Sequence, residues 1–229
     1  MENLLLKYMN DRVTQVTKKV VEPGPVITIS RELGCSAREL AEKLTERINS
    51  RQAELAHPWK WVNKEILCLA SEELKINPDK VRDLLKSEGK NFFDEIVSSF
   101  TLRYYVNDTK IKRVLRDVVR HLAIRGNVVI VGRGSEALTQ DILHSLHIKL
   151  FAPLSWKTDV IANREKISHS EAQKLVLQTD KRRSEFVESF LGKNQESVVY
   201  DIDFNCAKFT PDEMVEIILK AAEMKSLLK

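Results

Sequence analysis

Glycine and proline are scarce in this 229-residue chain, at seven and six residues, and cysteine is scarcer still at three. Cys35, Cys68 and Cys206 are odd in number and far apart, which suits three reduced thiols better than a disulfide framework or a zinc site. Three reduced thiols suit a reducing cytoplasm, the expected location. A long apolar run is missing too: no stretch approaches the ~18 residues that a spanning helix needs. The apolar trio in "MENLLLKYMNDRV" is too short and too mixed with charge to be a signal core. No membrane partner is expected. Nor is charge of one sign concentrated. The 37 basic and 33 acidic residues, net +4, are spread along the chain, without the basic stripe of a nucleic-acid binder. Any anion site must therefore come from a local cluster.

Hydrophobic residues at 43% and charged residues at 31% describe a folded, helix-rich protein, read as one domain with insertions. Residues 1–25 read as an N-terminal helical extension suited to docking, a possible route to a homo-oligomer, and 26–226 as a single α/β domain. After the helix-breaking "EPGP", Val26 to Ile29 is a short β-branched run suited to a strand buried on both faces. Arg38 to Asn49 follows as a helix with Leu40, Ala41, Leu44 and Ile48 on one face. A second short strand ends near Val62. Ile66 to Leu74 then reads as a helix, and Asn77 before Pro78 as the start of another. The stretch 64–110 is read as a helical insertion, its "NFFDEIVSSF" offering aromatics to a partner surface.

Ile111 to Arg125 is strongly amphipathic and is stopped by Gly126 as a left-handed cap. "NVVIVGRG" and "LHIKLFAP" read as buried strands, the second followed by a helix from about Ser155 to Arg164. Ser168 and Glu171 form a capping box opening a long helix that reaches Gly192, the core of a lid at about 164–195. "SVVYDIDFNC" reads as the last strand, and Thr210, Pro211 and Glu213 start the last helix. Strands separated by helices imply a parallel α/β sheet of about five strands, with ligands outside its carboxyl ends.

Three stretches could carry chemistry there. In "SRELGCSAR" the spacing of a phosphate loop is present but its letters are not. The two glycine positions fall at Arg31 and Ser36, the lysine at Ala37 and the hydroxyl at Arg38. Gly34 can still turn the chain, the following helix still offers free N–H groups, and Arg31 and Arg38 supply cations. An ordinary strand-to-helix turn with surface arginines is the other reading. In "VVIVGRG", Arg133 lies just past a buried strand between Gly132 and Gly134, which let backbone approach a ligand closely. A glycine-rich exit turn with a solvated arginine is its alternative. In "TDKRRSEF", Asp180 and Arg183 share a helix face. That pair could grip a sugar hydroxyl and a phosphate, or be a plain surface ion pair. His144 and His147 stand three apart just before a strand, with no Cys or carboxylate cluster at ligand spacing, so no metal site is assigned. Cys35, beside Arg38 and a helix N-terminus, could be a reactive thiol or simply a small residue in a tight place.

In order, these pieces resemble the cytidylate kinase-like family, a branch of the nucleoside monophosphate kinases among the P-loop NTPases. The family's "ISRE" turn followed by Gly-Ser-Gly-Gly-Arg-Glu corresponds to "ISRELGCSARE", and Tyr-Asp-Lys-Glu to "WVNKEIL". The "VGRG" exit, the strand ending Ala-Pro, Asp-Lys-Arg-Arg and the Tyr-Asp strand ending at Asn correspond to Gly132–Gly134, "LFAP", Asp180–Arg183 and "YDIDFN". The resemblance spans Val26 to about Ala222. It implies a P-loop NTPase-like sheet with a helical insertion and a helical lid, and ATP with Mg²⁺ as donor and cofactor. It further implies donor phosphates cradled by Ser30, Arg31, Gly34, Cys35, Ser36, Ala37 and Arg38. Asn63, Arg133 and Asp180 would bind an acceptor monophosphate such as CMP, and Arg38, Arg133 and Arg183 would stabilise the transferring phosphoryl group.

Three departures bear on activity. Ser36 and Ala37 replace the Gly-Gly pair, Asn63 replaces an Asp, and Trp156 and Lys157 stand where an arginine near the adenine is expected. Two function classes follow: an ATP-dependent nucleoside monophosphate kinase, or a non-catalytic relative that keeps an anion pocket as a regulatory module. A nucleic-acid binder, suggested by the pI of about 8.9, is a third. The discriminating observation is whether Arg31, Arg38, Arg133 and Arg183 converge on one crevice.

Overall fold

The computed structural model describes residues 23–51, 57–63, 109–191 and 197–228. The expected N-terminal docking helix, nearly all of the helical insertion, the third cysteine Cys68, and Gly192 lie outside them. Within them the chain forms β1 (Val26–Arg31), α1 (Ala37–Arg51), β2 (Lys60–Val62), α2 (Thr109–Arg125), β3 (Val128–Val131) and α3 (Ser135–Leu138). These are followed by β4 (Ser145–Phe151), α4 (Leu154–Glu165), α5 (His169–Glu188), β5 (Ile202–Asn205) and α6 (Pro211–Met224). The five strands make one sheet in the order β2-β3-β1-β4-β5, every neighbouring pair parallel.

Alternation along the strands divides the core in two. Ile27 and Ile29 of β1, Val129 and Val131 of β3, and Leu146, Ile148 and Leu150 of β4 face α1 and α6, meeting Leu40, Leu44, Ile48, Met214, Ile218 and Leu219. On the opposite side Val26, Val128, Ile130 and Val62 pack on α2 through Val114, Leu115, Val118, Val119 and Leu122, and Phe186 and Phe190 join them. Toward β4 this second face turns polar. There Thr28 Oγ1 lies 2.8 Å from His147 Nδ1, and Ser145 Oγ lies 3.1 Å from His147 Nε2. His147 is thus inside β4 rather than before it, and burial holds its imidazole below its ordinary pKa.

Element ends follow local bonding. β1 runs two residues past Ile29 because Ser30 and Arg31 pair in register with Lys149 and Leu150. The last strand is shorter than "SVVYDIDFNC". Among the described residues β5 pairs only with β4, starting at Ile202 opposite Ile148, while Val199 upstream exchanges two bonds with the Gln140 side-chain amide. Both capping boxes form, Ser168 with Glu171 and Thr210 with Glu213, satisfying the first N–H groups of α5 and α6. Gly126 ends α2 at φ +75°, and a side chain there would overlap Gly24, so both glycines are needed where the two backbones touch. α4 and α5 pack as a hairpin whose small core of Ile161, Ala162, Ala172 and Val176 closes over Leu33 in the turn after β1. That contact brings α4 and α5 to the carboxyl edge of the sheet.

Candidate active site

Because every strand is parallel, Asn63 past β2, Arg133 past β3 and the turn from Ser30 past β1 lie along one edge, on three adjacent strands. The chain leaves β1 toward β2, and after β3 it crosses to β4 on the other side. That reversal is where an open α/β sheet leaves a crevice.

The turn after β1 is compact. Gly34 takes φ +93°, Cys35 N donates to Glu32 O at 3.3 Å, and Ala37 N to Cys35 O at 2.9 Å. Ser36, Arg38 and Glu39 are exposed at the start of α1, where the helix end favours an anion. Behind them the turn is tied by charge. Lys157 of α4 donates to Glu32 Oε2 and to Asp180 Oδ2, each at 2.7 Å, and Asp180 Oδ1 accepts from Leu33 N at 2.7 Å. Burial pushes the Lys157 ammonium toward neutrality, but the bonds to Asp180 and Glu32 outweigh it and leave its pKa raised. Asp180 is therefore fully engaged with the turn and with Lys157 in this arrangement.

The turn after β3 is held differently. Gly132, Arg133 and Gly134 are consecutive left-handed residues at φ 67°, 65° and 68°. For an arginine that conformation costs on the order of 1 kcal/mol or more and persists only where the surroundings impose it. They do so here by close packing. A side chain at Gly132 would overlap the Arg31 guanidinium, and one at Gly134 would overlap the Phe190 ring. Arg183 of α5 reaches the same place, its Nη1 donating to Arg31 O at 3.2 Å. Arg31 and Arg183 thus meet beside the β3 exit that carries Arg133. Arg38 stands on the β2 side, its guanidinium 5.9 Å from the Trp61 ring centroid, a distance at which cation–π attraction acts.

Beneath them is a group the sequence reading missed. Glu136 of α3 is 1% exposed, bonded to the Ser30 and Ser135 hydroxyls and close to the Arg31 charge; burial nevertheless raises its pKa. Tyr200 shares the Ser30 hydroxyl, and its phenol is pushed up to about 12 by burial and by Glu136, against the Ser30 bond. Lys149 lies over the Tyr200 ring at 5.5 Å. The only signal in the sequence was an acid three residues past Arg133. Lys157 was noted as a departure, but not as the cation joining Glu32 to Asp180. Among the described residues no group of three or more His, Cys, Asp or Glu is arranged to hold a metal.

Residues 26–208 match the family described as the cytidylate kinase-like family. Among solved structures, an uncharacterized protein from Eubacterium ventriosum is similar with a TM-score of 0.59 at 21% identity, over 87% of this chain and 98% of that one. Shikimate kinase from Bacteroides thetaiotaomicron is similar with a TM-score of 0.49 at 11% identity, again over 87% of this chain and 98% of that one. No curated protein shows a significant sequence match to the chain. The family match, over residues 26–208, makes the chain a nucleotide kinase-like protein by family.

Proposed function

The chain belongs to the cytidylate kinase-like family, and we propose that it transfers the γ-phosphoryl group of ATP to a pyrimidine nucleoside monophosphate such as CMP. The observation that carries this reading is the meeting of Arg31 and Arg183 beside the β3 exit, where Arg133 is held left-handed between two glycines. A strained cation at a strand exit, beside an open helix N-terminus, suits a site that must neutralise phosphate charge at fixed positions.

In this mechanism the turn from Ser30 to Arg38 binds the donor phosphates through backbone N–H groups, with Cys35, Ser36 and Ala37 lining it and Arg38 as its exposed cation. Ser30 acts from below through Glu136 and Tyr200, since its hydroxyl is bonded to both. Arg133 holds the acceptor monophosphate and Asn63 its nucleoside. A phosphate oxygen of the acceptor attacks the γ-phosphorus, the bond to the ADP oxygen breaks, and Arg183 with Arg38 stabilises the charge in transit. Mg²⁺ would supply charge neutralisation between the donor phosphates. The acid in the turn, Glu32, is already paired with Lys157, so the ion would be carried mainly by the phosphates and water. Asp180 would reach an acceptor sugar only after α5 moves it off Leu33 and Lys157.

A second reading, a non-catalytic nucleotide- or anion-binding module, is favoured by that same contact. The turn's Leu33 N–H is satisfied by the protein's own carboxylate, and Ser36 and Ala37 narrow the turn where glycines would leave room. Calorimetric titration with Mg·ATP, CMP and both together, beside a coupled assay for ADP release, separates the two. CMP-dependent ADP formation is the expected result. Saturable binding without turnover would leave the regulatory module, and no binding at millimolar nucleotide would remove both.

A further inference from the structure

Where the family pattern places serine in the turn after β1, this chain has Cys35, and the turn is packed against a second cysteine. Cys206 is the first residue past β5, two strands away in the sheet. Cys35 lies in the core cluster between the sheet and helices α1 and α6, Cys206 packs against that cluster, and the two thiols interact as side-chain hydrogen-bonding partners. Both backbones are pinned at this contact: Cys35 N bonds to Glu32 O at 3.3 Å and Cys206 N to Phe151 O at 2.8 Å. Access is unequal. Cys35 is buried and Cys206 half-buried, so a small oxidant meets Cys206 first.

We propose that Cys35 and Cys206 form a reversible dithiol–disulfide couple, a modification site for a peroxide, which cross-links the turn after β1 to the exit of β5. The electronic asymmetry agrees with the order of attack. The bond from Cys35 and a backbone N–H favour the Cys206 thiolate against burial and the Glu32 charge, whereas the Cys35 thiol is pushed up by its bond to Cys206 and by burial. The thiolate is the nucleophile. Cys206 attacks one peroxide oxygen, the O–O bond breaks, and hydroxide leaves, giving a sulfenic acid. The Cys35 sulfur then attacks that sulfur, its proton leaves with the hydroxyl as water, and the disulfide forms with two electrons passed to the peroxide. A dithiol reductant returns two electrons and two protons by exchange. Such transient disulfides are the kind a reducing compartment permits. Because the bond draws the sulfurs from hydrogen-bonding contact to ~2.05 Å, the turn shifts toward β5. On the reading of that turn as the donor-phosphate cradle, oxidation weakens Mg·ATP binding.

The test uses the full chain with its three cysteines, reduced, then treated with hydrogen peroxide and mapped by mass spectrometry. The expected product has lost two hydrogens, contains a peptide joining Cys35 to Cys206, and returns to the parent mass with dithiothreitol. Cys35→Ser and Cys206→Ser should each abolish the cross-link, and Cys68→Ser should keep it. A link through Cys68, or sulfinic acid at Cys206 with no cross-link, would overturn the couple. Mg·ATP titration of both redox forms keeps the two ideas apart. A reversible Cys35–Cys206 link in protein that binds no Mg·ATP in either form would support the couple and remove the nucleotide reading alone.

Discussion

After β3 the chain makes three left-handed residues in a row, with the Arg31 guanidinium laid against Gly132 and the Phe190 ring against Gly134. After β1 it makes one such residue, Gly34, and relies on Lys157 bridging Glu32 and Asp180. The first turn is shaped by backbone geometry and excluded volume, the second by charge. That difference teaches where each is vulnerable. A methyl group can disrupt the β3 exit while leaving its charges alone, whereas a Cβ at Gly34 in the β1 exit would meet only ordinary contacts and that turn depends on Lys157 staying paired with Glu32 and Asp180. The rigid turn fixes the backbone at Arg133, and the ionic one links the sheet to α4 and α5 through side-chain contacts.

The sharpest way to break the comparison is at Arg133 and its neighbour. Arg133→Gly removes the cation while relieving the cost of φ 65°. ADP release should fall by about two to three orders of magnitude, while stability rises by up to ~1 kcal/mol. Gly132→Val should lose turnover too, but together with stability, because its side chain meets the Arg31 guanidinium at a φ that β-branched residues avoid. Steady-state assays beside thermal melts distinguish them. If Arg133→Gly lost stability as Gly132→Val does, the β3 exit would be held by the arginine's contacts rather than shaped against its preference.

Lys157→Met tests the other turn, with a smaller effect expected. The lysine side chain is 9% exposed and its partners 28% and 19%. Two partly buried carboxylates would therefore be left facing each other at a cost of about 2 kcal/mol, below that of a fully buried pair because water still reaches Glu32. Lys157→Arg should recover part of it. A denaturation series on the three proteins measures this, and a loss of a few tenths would mean that apolar packing of Leu33 against α4 and α5 holds the turn instead. The pH dependence has a defined sign. A lysine whose pKa is raised on folding contributes fully below its ordinary 10.5 and loses that contribution as pH climbs through the folded value. On the alkaline side, the parent's advantage over Lys157→Met should therefore persist past the ordinary lysine value and fade only above it.

What was legible in the sequence follows the same division. β1, β3 and α2 could be read because an apolar β-branched run and a repeating apolar face report burial directly, and the two capping boxes because their partners are three residues apart. The shared face of Asp180 and Arg183 was also readable from spacing, and both side chains do reach the turn after β1. The Lys157 bridge was not readable. It joins residues 125 and 23 positions away, and in a chain with charges of both signs everywhere no pattern singles out those three. The shortening of the last strand was hidden for a similar reason, since it depends on where β4 offers partners and not on "SVVYDIDFNC" itself. Nothing in the sequence pattern sets Glu136 apart from the chain's other acids, and only the folded chain buries it.

Glu136 supplies the smallest expected effect and a probe of the junction between the two turns, since it lies near Arg31 of one and three residues past Arg133 of the other. Its raised pKa means that the folded state holds the carboxyl proton more tightly than the unfolded chain does. Folding is then favoured by acid: this contribution is complete below the ordinary 4.5 and is lost as pH rises through the folded value. Glu136→Gln keeps the shape and removes the charge. Its melting temperature should exceed the parent's at neutral pH, and the gap should close as pH falls toward 4.5. Turnover should drop modestly at the same time, because the carboxylate that attracts Arg31 is gone while the Ser30 contact can be kept by the amide. A gap that stayed constant with pH would show that the substitution acts through packing. The Arg31 guanidinium would then rest on Gly132 by fit alone, which would make the β3 exit steric throughout.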